Sequence, residues 1–245
     1  CNLLARKEVF RRVGGFKEEM IVGEDVDLCW RMQDLGFHTE YRPAGRVYHK
    51  HRNDLGSFCS RRFDYGTSES LLQRSHPGRV KKFAYTFPDI LFWGFLFLSV
   101  FPGMTICLGL SGVTLIMDSA VRLGRIRRPD IPVPFGRLVS AVWRGYIAFI
   151  FNCCSFVSRY YLLFVIPVFL LEPVLSAILL GAHLITMVVE YAIKKPRMNP
   201  LSFLFYFTLD QLSYQAGVWW GCIRRFFFGP VNPVLVRKPI LRGQS

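Results

Sequence analysis

The chain has 245 residues, with 31 Lys and Arg against 17 Asp and Glu and a net charge of +14. That length holds one or two domains with a sizeable core, and a composition of 51% hydrophobic and 16% aromatic residues excludes a disordered basic tail. Seven cysteines, an odd number with no CxxC pair, argue against both a secreted disulfide scaffold and a thiolate zinc site. The chain opens Cys1-Asn2-Leu3-Leu4, with no initiator Met or signal peptide, and is expected to be part of a longer protein.

Residues 1–82 hold most of the acidic side chains and all the motifs with chemical character. Asn2 to Lys7, followed by Val9-Phe10, predicts a short strand entering a helix, and Val13-Gly14-Gly15-Phe16 a turn. In Gly23-Glu24-Asp25-Val26-Asp27-Leu28-Cys29-Trp30-Arg31-Met32, the apolar residues Val26, Cys29, Trp30 and Leu35 repeat at helical spacing. The carboxylates therefore stand at a helix N-terminus, where free backbone donors and the macrodipole favour them. Taken alone, Glu24 or Asp25 reads as an ordinary helix start, and Asp27 with Arg31 as an i, i+4 ion pair holding the helix to its domain.

From Phe83 the composition changes. Residues 83–121 are almost free of charge apart from Asp89 and Asp118, and the Pro102-Gly103 break predicts two short helices in a membrane hairpin. Residues 122–145 carry six arginines and the breakers Pro129, Pro132 and Pro134, and are expected to form a basic cytoplasmic loop. A second membrane hairpin is expected over 146–193, divided at Glu172-Pro173, with its part before Tyr160 along the interface because Arg159 is costly in lipid. Residues 194–245, rich in Phe and Trp and then basic, read as an interfacial aromatic helix and a basic tail. Two hairpins return every basic segment to one face, which the positive-inside rule makes cytoplasmic. The basic residues cluster beside apolar spans rather than along one soluble face, so anionic membrane lipids are the expected partner and nucleic acid is not.

The order Asn2, Val13-Gly14-Gly15-Phe16, Gly23 to Arg31, Gly36, Pro43 and Val47-Tyr48-His49-Lys50-His51-Arg52 resembles the C-terminal half of the catalytic domain of family 2 glycosyltransferases. The fold this implies is an α/β C-terminal half of a GT-A catalytic domain followed by an α-helical membrane region. Arg61-Arg62-Phe63-Asp64-Tyr65-Gly66, Arg74-Ser75-His76-Pro77-Gly78 and Asp210 to Tyr214 with Gly217 to Gly221 are similar to the mycofactocin-system glycosyltransferases.

The resemblance implies roles that the chemistry accepts. Asp25 matches the general base of inverting transfer, which takes the proton of an acceptor hydroxyl as the new C–O bond forms. Glu24 would orient the acceptor or the helix start. His49 matches a ligand of a divalent metal, Mg or Mn, beneath the donor diphosphate, although a hydrogen-bonded strand histidine is the alternative. Arg52, Arg61 and Arg62 are candidates for substrate phosphate, since guanidinium forks match phosphate oxygens. A solvated or membrane-facing basic helix is the other reading of Arg61 and Arg62. Tyr65 is the candidate to stack on the acceptor.

The implied donor is a nucleotide-sugar, UDP-glucose, and the implied acceptor a hydroxyl of a peptide-derived cofactor, a glycan or a lipid. No nucleotide-binding layers or donor DxD precede Asn2, and Asp25-Val26-Asp27 follows no apolar strand, so this chain alone is expected to lack sugar-nucleotide binding and activity. The alternatives are a polysaccharide or glycolipid synthase and, from another class, a non-catalytic membrane or interaction remnant.

Overall fold

The computed structural model describes residues 3–42, 47–48, 54–126 and 134–237. The chain divides into two compact units, residues 1–81 with 156–233 and residues 82–155 with 234–245.

The first unit opens with α1 (Lys7–Arg12), turns through Gly14 and Gly15, both at positive φ, and enters α2 (Glu24–Asp34) from Gly23. Val13, Leu28 and Met32 form a small core with Val9, Phe10 and Phe37 against it. Next comes α3 (Leu55–Ser75), whose N-cap Asp54 accepts a hydrogen bond from the Ser57 amide at 2.7 Å. From the later sequence the unit takes the end of α6 (Phe135–Tyr161), α7 (Val165–Phe169), α8 (Pro173–Lys194) and α9 (Pro200–Arg225).

Helix α3 packs on α9 with backbone against backbone, because small residues stand where the helices cross. A Cβ on Gly66 would fall 2.1 Å from the Tyr214 carbonyl oxygen, and one on Gly217 would fall 2.0 Å from that of Phe63. Gly217 and Gly221 are four apart and present one face, the spacing that lets helices approach closely. Polar groups inside the unit are paired across helices: His183 lies 2.9 Å from Ser158 and 2.9 Å from Thr208, and Gln215 accepts from the Leu163 amide at 2.9 Å.

The second unit contains β1 (Lys82–Tyr85), α4 (Phe87–Leu98), α5 (Ile106–Ile126), the part of α6 up to Ser155, and β2 (Val234–Arg237). The strands pair in parallel, Lys82 opposite Val234 and Tyr85 opposite Arg237. Asp89, a lone charge in an apolar stretch, closes a capping box with Thr86 and so starts α4. Phe92, Val142 and Tyr146 form the core, and the Tyr146 hydroxyl donates to Asp118, which also pairs with Arg122.

Several expectations change. The α/β layer is absent from the described part of residues 1–82, which is helical; the only sheet among the described residues is β1–β2, because residues 3–6 find no ladder partner. The basic segment is shorter than 122–145, since α5 runs to Ile126 and α6 begins at Phe135, carrying Arg137 and Arg144 on its exposed side. The two hairpins also change. Among the described residues, three helical segments are long and apolar enough to cross a membrane, Ile106–Arg125, Phe135–Phe169 and Pro173–Lys194. With 12 residues, α4 extends only about 18 Å of the ~30 Å a hydrocarbon core requires. The even number of crossings behind the expected orientation therefore does not follow from the helix lengths. Residues 156–233 belong to the same compact unit as residues 1–81.

Candidate functional site

A cavity of about 470 Å³ opens in the first unit, within the size range of small-molecule sites. Its lining includes Gly23, Asp25 and Trp30 from the start of α2, and Arg62, Tyr65, Ser68, Glu69 and Gln73 from α3. Arg79, Lys81 and Tyr214 complete the polar lining.

The start of α2 is held by Asp27, which is fully buried. Its carboxylate pairs with Arg31 at 2.7 Å, with His76 Nε2 at 2.9 Å and with Lys17 at 3.2 Å. Burial alone would raise the Asp27 carboxyl, but the hydrogen bonds from His76, Arg31 and Lys17 outweigh it and hold the group below the ordinary carboxylate value. Arg31 also donates to the carbonyls of Val13 and Gly15, tying the glycine turn to the helix. The ion pair expected between Asp27 and Arg31 is therefore present, as part of a larger clamp.

The clamp leaves Asp25 at the first turn of α2, facing the cavity. Asp25 accepts from the Val26 amide at 2.8 Å and forms no ion pair among the described residues. Gly23, at φ 84°, supplies the tight entry; a Cβ there would meet Leu72 at 3.0 Å and Ser68 at 3.3 Å. Glu24 belongs to the same turn but does not line the cavity.

The second carboxylate of the cavity, Glu69, is fully committed. It accepts from the hydroxyls of Tyr160, at 2.9 Å, and Tyr214, and from the Lys81 ammonium. Lys81 also bonds the Tyr160 hydroxyl and the Pro230 carbonyl. Burial pushes the Lys81 ammonium below its ordinary value, against the opposing charge of Glu69. Burial and the same Glu69 charge raise the Tyr214 hydroxyl.

Of the expected site residues, Asp25, Arg62 and Tyr65 come together in this cavity. Arg62 arrives already paired with Asp210, 2.9 Å from Nη2 to Oδ2, and its guanidinium lies over the Tyr214 ring. Arg61 does not line the cavity; its guanidinium sits 4.8 Å from the Tyr65 ring centre. His49 and Arg52 fall outside the described residues. Among the described residues no group of three His, Cys, Asp or Glu stands together to hold a metal, and Asp27 is already spent on three basic side chains. The described residues therefore offer no donor set for the expected Mg or Mn, and the expected ligand His49 lies outside them.

Sequence reasoning missed Trp30, Glu69, Arg79, Lys81 and Tyr214 as lining residues. Glu69 was within reach, because Arg62, Tyr65, Glu69 and Gln73 repeat every three or four positions and share one face of α3. Tyr214 is brought to that face only by the packing of α9 on α3, and Lys81 by the return of the chain after α3.

Residues 1–193 match the glycosyl transferase family group 2. Over 242 residues the chain is 29% identical to a pre-mycofactocin glycosyltransferase of Mycobacterium tuberculosis strain CDC 1551 / Oshkosh, and equally to the protein of that description in strain ATCC 25618 / H37Rv. The alignment takes in 94% of this chain and 49% of each relative, so the chain spans about half the length of the curated relatives it matches. No solved structure matches it.

Proposed function

Since the chain belongs to the glycosyl transferase family group 2, we propose that the cavity is the acceptor site of a membrane-associated inverting glycosyltransferase and that Asp25 is its general base. The observation that carries this reading is the difference between the two carboxylates of the cavity. Glu69 is saturated by two tyrosines and a lysine, whereas Asp25 is free of ion pairs among the described residues.

An acceptor hydroxyl in the cavity loses its proton to the Asp25 carboxylate as its oxygen attacks the anomeric carbon of a nucleotide-sugar. The bond from that carbon to the nucleoside diphosphate breaks, and attack from the opposite face inverts the configuration. The α2 clamp fixes Asp25, and fixed geometry is itself a large part of such catalysis. Glu24, beside the base, orients the helix start. Tyr65, with Trp30 and Tyr214, supplies the aromatic part of the lining that the acceptor meets. Arg61, Arg52 and His49 belong to the donor side of the reading, His49 with the family's divalent cation. No role is given to that cation here, because the described residues offer no donor set for it.

The relatives' description makes a pre-mycofactocin-like acceptor the first to assay, with UDP-glucose, the donor implied by the sequence resemblance, as its partner. Three long apolar helices support membrane association. The test is Asp25→Asn in the intact natural protein. Sugar transfer should fall by about 10²–10⁴-fold, the usual worth of a positioned general base. Near-normal turnover would remove Asp25 from the mechanism.

A further inference from the structure

The wall of the cavity carries three cations, and each is matched by its own carboxylate. Arg62 is paired with Asp210, Lys81 with Glu69, and Arg79 with Asp34 at 3.0 Å. Asp210 and Asp34 do not line the cavity themselves, so they act on it only through the cations they cancel. Asp25 is then the one charge of the wall without a counter-charge among the described residues, and it is negative. A phosphate group entering here meets paired cations and an unpaired carboxylate. A neutral polyol meets a carboxylate that accepts from a hydroxyl, and the aromatic side chains of Trp30, Tyr65 and Tyr214 in the lining.

We propose that Asp210, Glu69 and Asp34 are specificity residues of this cavity: by cancelling Arg62, Lys81 and Arg79 they reserve it for an uncharged, hydroxyl-bearing acceptor and close it to a phosphorylated one. The proposal rests on the reading of the cavity as the acceptor site, and it changes what Arg62 is for. The guanidinium is a wall element over Tyr214 and Tyr65, with one edge engaged and its charge matched by Asp210.

The test is direct binding to the intact protein in detergent, with methyl β-glucoside and methyl β-glucoside 6-phosphate as probes and no turnover required. Wild-type protein should prefer the neutral probe by at least about tenfold, because juxtaposing the phosphate with the unpaired Asp25 carboxylate disfavours the other. Asp210→Asn uncovers Arg62 and should shrink that preference at least about tenfold. If Asp210→Asn does not fold, Asp34→Asn, at a half-exposed side chain, uncovers Arg79 and takes its place. Equal binding of the two probes by wild type, binding of neither, or an unchanged preference in the folded variant would overturn the proposal. Because the readout is binding, it fails or stands separately from the Asp25→Asn turnover measurement.

Discussion

Helices α3 and α9 of the first unit use glycine in the opposite way to α4 and α5 of the second. Gly66, Gly217 and Gly221 in α3 and α9 lie where an added Cβ would strike the facing helix backbone, whereas a Cβ on Gly94, Gly109 or Gly112 in α4 and α5 meets nothing within 4 Å. Their interiors differ in the same way. The first unit buries Asp27, Ser70, Gln211 and Gln215 and holds its cavity among polar groups, while only 11% of the apolar window of α5 is buried. Where backbones touch, small and polar residues fix side chains to within a bond length. Where apolar side chains face outward, glycine fixes little. The cavity sits in the unit of the first kind.

One substitution made in both units breaks or sharpens that contrast. Gly217→Leu should abolish cooperative unfolding of the first unit, since a Cβ 2.0 Å from the Phe63 carbonyl oxygen leaves no room for α9 on α3. Gly112→Leu should be silent or stabilise by about 1 kcal/mol, because Leu is the better helix former and nothing stands in its way. Thermal unfolding in detergent separates them. Equal midpoints would mean that the close approach of α3 and α9 carries no stability.

The contrast was only partly legible in the sequence. Helix α2 was, with Glu24 and Asp25 at its start, because apolar spacing and acidic first-turn residues point the same way. The break near Pro102-Gly103 was legible too: α4 ends at Leu98, α5 begins at Ile106, and Gly103 has φ 81°. The return of residues 156–233 to the first unit was not, since apolar composition makes a membrane helix and a helix packed on α3 look alike. For the same reason Arg62 read as free for phosphate; its partner Asp210 is 148 residues away.

The buried charges give the next test. Asp27→Ala should cost about 3 kcal/mol, because it strands Arg31 and His76 in the interior. In the second unit Asp118→Asn should cost about 1 kcal/mol, since Arg122 is more than a third exposed and reaches solvent. The pH dependence separates the two further. The Asp27 carboxyl is held below its ordinary value when folded, so its contribution is complete above the unfolded carboxylate pKa and is lost as the pH falls through the folded value. Wild-type protein should therefore lose stability below about pH 4, and Asp27→Ala should show a shallower loss. An unchanged acid limb in Asp27→Ala would assign that limb to other carboxylates.

The smallest expected effect reports on the largest. Cys222 lies on α9 one position after Gly221, fully buried, and burial with the nearby Glu69 charge pushes its thiol up to about 11, against the opposing charges of Lys81 and Arg225. A thiol that is both inaccessible and protonated should resist iodoacetamide at pH 8, because the thiolate is the nucleophile. Gly217→Leu separates α9 from α3 and removes both protections, so Cys222 should label at the rate of an unfolded chain in that variant and remain protected in Gly112→Leu. Peptide mapping of the alkylated protein reads this site by site. Fast labelling of Cys222 in folded wild type would show that α9 leaves α3 on the labelling timescale, and the cavity they build with α2 would then open with it.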